Sequence, residues 1–169
     1  REMAELDRIA NLLAAKLQAL GAKVDLIAPT EDDMHRMSDT PDKVGKMVRA
    51  TFSGTGTKKI LLLAHMDTVY PKGMVTDQPF RIDGDRAYGL GIADDRHGIA
   101  VILHVLSMLK AMNFRDYATI TVFINADEEI GSPGSRNHHT RLGTEHDAIL
   151  SFEGGGNIQE DRIRLATSG

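Results

Sequence analysis

His65 and Asp67 stand directly after the apolar run Ile60–Ala64 in the stretch KKILLLAHMDTVY. Side chains two residues apart on an extended chain share a side, so Asp67 can accept a hydrogen bond from one imidazole nitrogen while the other nitrogen binds a metal. Carboxylates recur in three other places: Asp94 and Asp95 in YGLGIADDRHG, Asp127, Glu128 and Glu129 after ATITVFINA, and Glu153 after AILSF. Adjacent residues diverge in direction, so one of Glu128 and Glu129 can ligate a metal while the other reaches a water as general base. Asp94, in a tight turn, has two oxygens and could bridge two ions. One imidazole gathered with several carboxylates would be strongly repulsive without a positive charge, and a divalent metal is the simplest neutraliser. The chain has no cysteine, so a metal must be held by imidazole and carboxylate.

Each feature has an ordinary explanation when taken alone. A single histidine at a strand end is commonly a hydrogen-bonded structural residue, and paired acids such as Asp94–Asp95 or Glu128–Glu129 suit the first turn of a helix. Glu153 could be a plain loop acid, and His138, His139 and His146 read as solvated. The glycines before Ile92 form no dinucleotide-binding fingerprint, and a nucleotide-binding domain has no phosphate loop to support it. What favours a shared site is placement.

The elements that would position these groups alternate between helix and strand. Ala4, Leu6, Ile9, Leu12, Leu13, Leu17 and Leu20 recur every three or four residues, which predicts a helix over 3–20 stopped by Gly21. Strands are expected at 23–28, 46–52 and 60–64, a polar loop at 29–43, and a hairpin turning at DGD between 80–82 and 87–88. The apolar spacing over 98–110 suits a helix packed on a sheet. A buried strand at 118–126, a helix at 133–142, a buried strand at 148–152 and a last strand at 162–166 complete the pattern. Helices interleaved with greasy strands predict a three-layer α/β sandwich, with a largely parallel mixed sheet flanked by helices. Three buried-type strands then end in His65 and Asp67, in Asp127–Glu129, and in Glu153. Parallel strands bring their carboxyl ends to one edge, where ligands of open α/β sheets bind.

Composition sets outer limits. The chain has 169 residues, 41% hydrophobic and 26% charged, with a formal net charge of −4, which suits one domain with a real core. No basic stripe points to nucleic acid, and no apolar run reaches the roughly 18 residues of a membrane span. The start lacks a basic-then-apolar leader pattern, and the compartment, cytoplasmic or periplasmic, stays undecided.

The motifs HMDTVYPKG, PFRIDGDRAYGLGIADD, RDYATITVFINADEEIGSPGSR and LSFE, in this order and spacing, resemble the co-catalytic zinc exopeptidases. That family includes carboxypeptidase G (glucarpidase), peptidase T, acetylornithine deacetylase and succinyl-diaminopimelate desuccinylase, and the similarity is strongest to its carboxypeptidase G branch. The resemblance implies that His65 and Glu153 hold one zinc, that Asp94 bridges, that Glu129 holds the other zinc, and that Glu128 is the general base. It implies further that Asp67 orients His65 and that the Asp94–Asp95 peptide bond is cis. The expected reaction is hydrolysis of an amide next to a carboxyl-terminal amino acid, with glutamate favoured, from a peptide or N-acyl amino acid.

The same resemblance implies that residues 1–169 match the amino-terminal portion of the catalytic domain, without the family's lid and dimerisation domain or the later segment that brings a second histidine. Two zinc ions in the complete enzyme and one in this chain are the expectation, with the isolated chain inactive. A non-catalytic metal-binding or assembly module is the alternative. An unpaired sheet edge is expected too, covered by self-association or by the missing half. Finally, Arg96 and His97 stand where the family has Lys-Gly ahead of Gly98, beside the metal turn.

Overall fold

The computed structural model describes residues 3–154. The strand expected at 162–166 lies outside them. Helix α1 (Met3–Leu20) buries Leu6, Ala10, Leu13 and Leu17, the stripe its sequence spacing predicts. Strands β1 (Lys23–Ile27), β2 (Met47–Ser53) and β3 (Lys59–His65) follow, then a short helix α2 (Met74–Asp77) inside what reads as loop, and the hairpin β4 (Arg81–Asp83) and β5 (Arg86–Tyr88). Helix α3 (His97–Ala111), strand β6 (Thr119–Asn125), helix α4 (Arg136–Glu145) and strand β7 (Ala148–Ser151) complete the described chain.

The main sheet runs β1-β2-β6-β3-β7. The β1–β2 and β2–β6 pairs are antiparallel, whereas β6–β3 and β3–β7 are parallel, so the sheet is mixed and its three site-bearing strands point the same way. Strand alternation distributes the apolar side chains between two faces. Leu62, Ala64, Ile120, Val122 and Ile124 join the stripe of α1 and Ile99, Ile102 and Leu106 of α3 in one core. Met47, Leu61, Phe123 and Leu142 of α4 form a smaller core on the opposite face. The result is the expected three-layer sandwich.

Register explains how distant residues meet. His65 pairs with Asn125 across β3–β6, and Leu63 pairs with Ser151 across β3–β7. The ends of three strands are therefore level, and the residues just beyond them share one edge.

One reading needs correction. The strand at 148–152 forms, but it is not buried: Ile149 is 47% and Leu150 53% exposed. Its only strand partner among the described residues is β3, so its second edge has no strand beside it there. The polar loop expected at 29–43 is present. It contains a 3₁₀ turn at Glu31–Asp33, and the His35 backbone N–H donates to Pro133 at 2.7 Å, docking the loop against the approach to α4. Among the described residues, no helix is long and apolar enough to cross a membrane.

Candidate metal centre

His65 is the last residue of β3, and its side chain is buried at the sheet edge. Its Nε2 lies 2.7 Å from Asp94 Oδ1 and 3.4 Å from Glu153 Oε1, and its Nδ1 lies 3.3 Å from Asp67 Oδ1. The Nδ1 contact lacks hydrogen-bond alignment, which leaves that buried atom without a well-aligned partner. The side chains of Asp94 and Glu153 are about half exposed, so the edge is open rather than dry.

Asp94 and Asp95 are joined by a cis peptide bond in the turn Ile92–Arg96 ahead of α3. The turn places the two acids differently. Asp94 faces His65, while Asp95 is fully buried and accepts the His65 backbone N–H at 3.3 Å. Gly98 is required behind it, because a Cβ there would collide with the Asp95 carboxylate and with Phe152. Arg96 turns inward near Asp67 and Asp95: burial lowers its pKa and those two carboxylates oppose the shift. His97 opens α3, about half exposed, with Nδ1 3.7 Å from Asp95 Oδ1.

The turn after β6 carries Glu128 and Glu129 in a single 3₁₀ turn closed by Gly131 in the left-handed conformation. Both backbone N–H groups donate to Asp67, Glu128 to Oδ1 and Glu129 to Oδ2, each at 3.1 Å. Asp67 therefore touches the imidazole and also ties the end of β3 to the turn after β6. Strand spacing accounts for the first role; the second depends on the register of β3 against the turn after β6.

Two groups of donors converge. Ligand atoms of His65, Glu128 and Glu153 lie within 4.8 Å of one another, as do those of His65, Asp94 and Glu129. The adjacent glutamates thus serve different groups, and His65 belongs to both. His97 joins neither among the described residues.

Electrostatics matches this crowding. Burial works to lower the His65 pKa, but Asp67, Asp94 and Glu153 outweigh it and push it up to about 10. Burial raises Glu128 above the usual carboxylate range, and the charges of Glu153, Glu129 and Asp67 add to the shift while His65 opposes it. Asp95 is pushed up to about 6, chiefly by burial.

The residues fit a divalent cation. One imidazole with carboxylate oxygens is a borderline-to-hard donor set, suited to zinc or its neighbours in the first transition row. Two donors on one tetrahedral zinc, at bonds of about 2.0–2.1 Å, sit roughly 3.4 Å apart. The His65–Glu153 separation of 3.4 Å has that value, whereas His65 Nε2 and Asp94 Oδ1, at 2.7 Å, stand in direct hydrogen-bond contact.

A cavity of about 200 Å³ opens at the same place, lined in part by His65, Asn125, Glu128, Ser132, His139 and Glu153. A larger one, about 480 Å³, includes Asp67 and Arg96 in its lining, together with Leu6, Ile9, Tyr70 and Lys72, and contains none of the six candidate residues except Asp67. The histidines expected to be solvated are not. His138 is buried and stacks on Phe123 with Nε2 3.5 Å from Asp33, His139 meets Phe123 edge-on, and His146 pairs with Thr121 Oγ1 at 2.8 Å. Helical spacing on α4 turns His138 and Leu142 toward the sheet although the helix is polar overall, and His146 follows the helix as its extended C-cap.

Comparison with known proteins converges on one group. The profile described as Peptidase family M20/M25/M40 matches residues 61–165. Carboxypeptidase G2 of Pseudomonas sp. (strain RS-16) is 44% identical over 159 residues, covering 94% of this chain and 36% of the relative. Acetylornithine deacetylase of Proteus mirabilis (strain HI4320) is 29% identical over 133 residues, covering 77% of this chain and 31% of the relative. The M20 family metallo-carboxypeptidase Sso-CP2 of Sulfolobus solfataricus superposes with a TM-score of 0.68 at 21% identity, covering 89% of this chain and 33% of that one. The chain spans about a third of the length of the curated relatives it matches.

Proposed function

Because this chain belongs to peptidase family M20/M25/M40, we propose that it carries the metal-site portion of a zinc-dependent exopeptidase that hydrolyses an amide next to a carboxyl-terminal amino acid. Glutamate is the residue we favour for release, on the similarity to Carboxypeptidase G2. In this reading residues 1–169 correspond to the amino-terminal portion of the catalytic domain; that the chain covers about a third of its relative, and that no described strand pairs with the outer edge of β7, are compatible with it.

The observation that carries the reading is the convergence of His65 with Glu128 and Glu153 on one side and with Asp94 and Glu129 on the other. His65, Asp94, Glu129 and Glu153 are the residues that would hold zinc. A bound zinc would supply a Lewis acid for the scissile carbonyl and lower the pKa of a water.

The remaining work falls to the chain itself. Glu128, whose affinity for a proton is already raised by burial, takes a proton from the attacking water as its oxygen adds to the carbonyl carbon. The same carboxyl then passes that proton to the departing amine nitrogen as the C–N bond breaks, so charge and protons balance. Asp67 keeps the His65 ring oriented and holds the Glu128–Glu129 backbone in place.

The test is release of glutamate from an N-acyl glutamate by the chain alone and by the chain mixed with the remaining carboxyl-terminal portion of Carboxypeptidase G2. Turnover that a chelator abolishes, zinc restores and Glu128→Gln removes is the expected result in the mixture. A mixture that binds zinc yet never turns over would favour a non-catalytic metal-binding module.

A further inference from the structure

Asp127 differs from the acids that follow it. Its side chain is 1% exposed, and each carboxylate oxygen is filled by two donors. Oδ2 accepts the backbone N–H of Gly134 at 2.6 Å and of Ser135 at 3.0 Å; Oδ1 accepts Ser135 Oγ at 2.7 Å and Asn125 Nδ2 at 3.1 Å. A carboxylate so saturated needs no cation, and Asp127 belongs to neither donor group.

Its backbone is equally engaged. The Asp127 carbonyl accepts Ser132 N–H at 2.8 Å and Ile130 N–H at 3.4 Å, and the Glu128 carbonyl accepts Gly131 N–H at 2.8 Å. Asn125 completes the frame by reaching Ser135 Oγ at 3.0 Å as well. The segment 127–132 is therefore closed on itself and bolted to the start of α4 and the end of β6. Glu128 and Glu129 ride on this loop, with their backbones gripped on the opposite side by Asp67.

We propose that Asp127 is a positioning residue for the two glutamates: its buried carboxylate fixes the 128–132 loop so that Glu128 and Glu129 diverge toward their separate donor groups. The inference rests on the proposed roles of Glu128 and Glu129 but concerns the loop, which can be measured without metal. Hydrogen-bond partners behind the residues that touch a metal commonly alter its affinity ten- to a hundred-fold when removed.

Asp127→Asn tests it, since the change keeps the volume and removes one oxygen acceptor. In the metal-free protein, amide hydrogen exchange should accelerate at least ten-fold at Glu129, Ile130, Ser132, Gly134 and Ser135, while β2 and α3 keep their protection. With cobalt(II) as the probe, the variant should bind ten- to a hundred-fold more weakly and show an altered visible absorption band. Ser135→Ala, which removes one of the four donors, should move both readouts the same way by less, and it serves as the test if Asp127→Asn does not fold.

Unchanged exchange across 128–132, or acceleration spread evenly over β2 and α3, would overturn the inference, the latter because it would assign Asp127 to global stability alone. Failure of the unsubstituted chain to bind cobalt would instead sink the metal reading, and the exchange pattern would still decide the role of Asp127.

Discussion

The two strands that flank β3 end in opposite ways. Strand β6 is buried along nearly all its length and runs into Asp127, with a saturated carboxylate and a turn pinned by Asp67. Strand β7 is exposed throughout, and Glu153 just beyond it is half open to solvent, its carboxylate 3.4 Å from the His65 imidazole. Among the described residues, the candidate site thus has one wall set by the core and one set by the pairing of β7 with β3. Preorganisation of donors comes from the first wall; the second supplies a half-exposed donor.

The largest expected contrast is in stability. Phe123→Ala should cost about 3–5 kcal/mol, because the ring is fully buried against α4. Leu150→Ala on β7 should cost under about 1 kcal/mol, as an exposed side chain leaves little cavity behind. Urea unfolding of both variants checks the difference, and equal losses would mean that β7 is covered in solution. Next in size, Asp67→Asn should weaken metal binding ten- to a hundred-fold, measured by competition with a chromogenic chelator, since it disturbs the imidazole and both glutamate backbones together.

The smallest effect concerns pH. Burial is the leading cause that holds the His139 pKa below its ordinary 6.5, so the unfolded chain takes up this proton first. Stability from His139 is then fully present above pH 6.5 and declines as pH falls through that value toward the lower folded pKa. His139→Leu should flatten this part of the stability profile, and an unchanged slope would place the ring in solvent.

Much of this arrangement was legible beforehand, for a physical reason. β3 and β6 are apolar runs broken abruptly by His65 and by Asp127–Glu129, and parallel pairing leaves such breaks on one edge. Asp67 two residues beyond His65 follows from strand alternation. Local patterns do not encode the docking of 29–43 on α4, the inward turn of His138, or the four bonds of Asp127 to Asn125, Gly134 and Ser135, because each depends on the register of separate segments. β7 misled for the opposite reason: Ala148–Leu150 is apolar enough to be buried, but apolar character does not reveal whether anything lies beside a strand.

Zinc stoichiometry, measured by mass spectrometry of metals after chelator stripping and reloading, tests the central claim most directly when run on this chain and on His65→Ala. His65 is common to both donor groups. About one tightly bound zinc per chain, lost in His65→Ala, is the predicted result. No bound zinc in the unsubstituted chain, or zinc retained by His65→Ala, would contradict it.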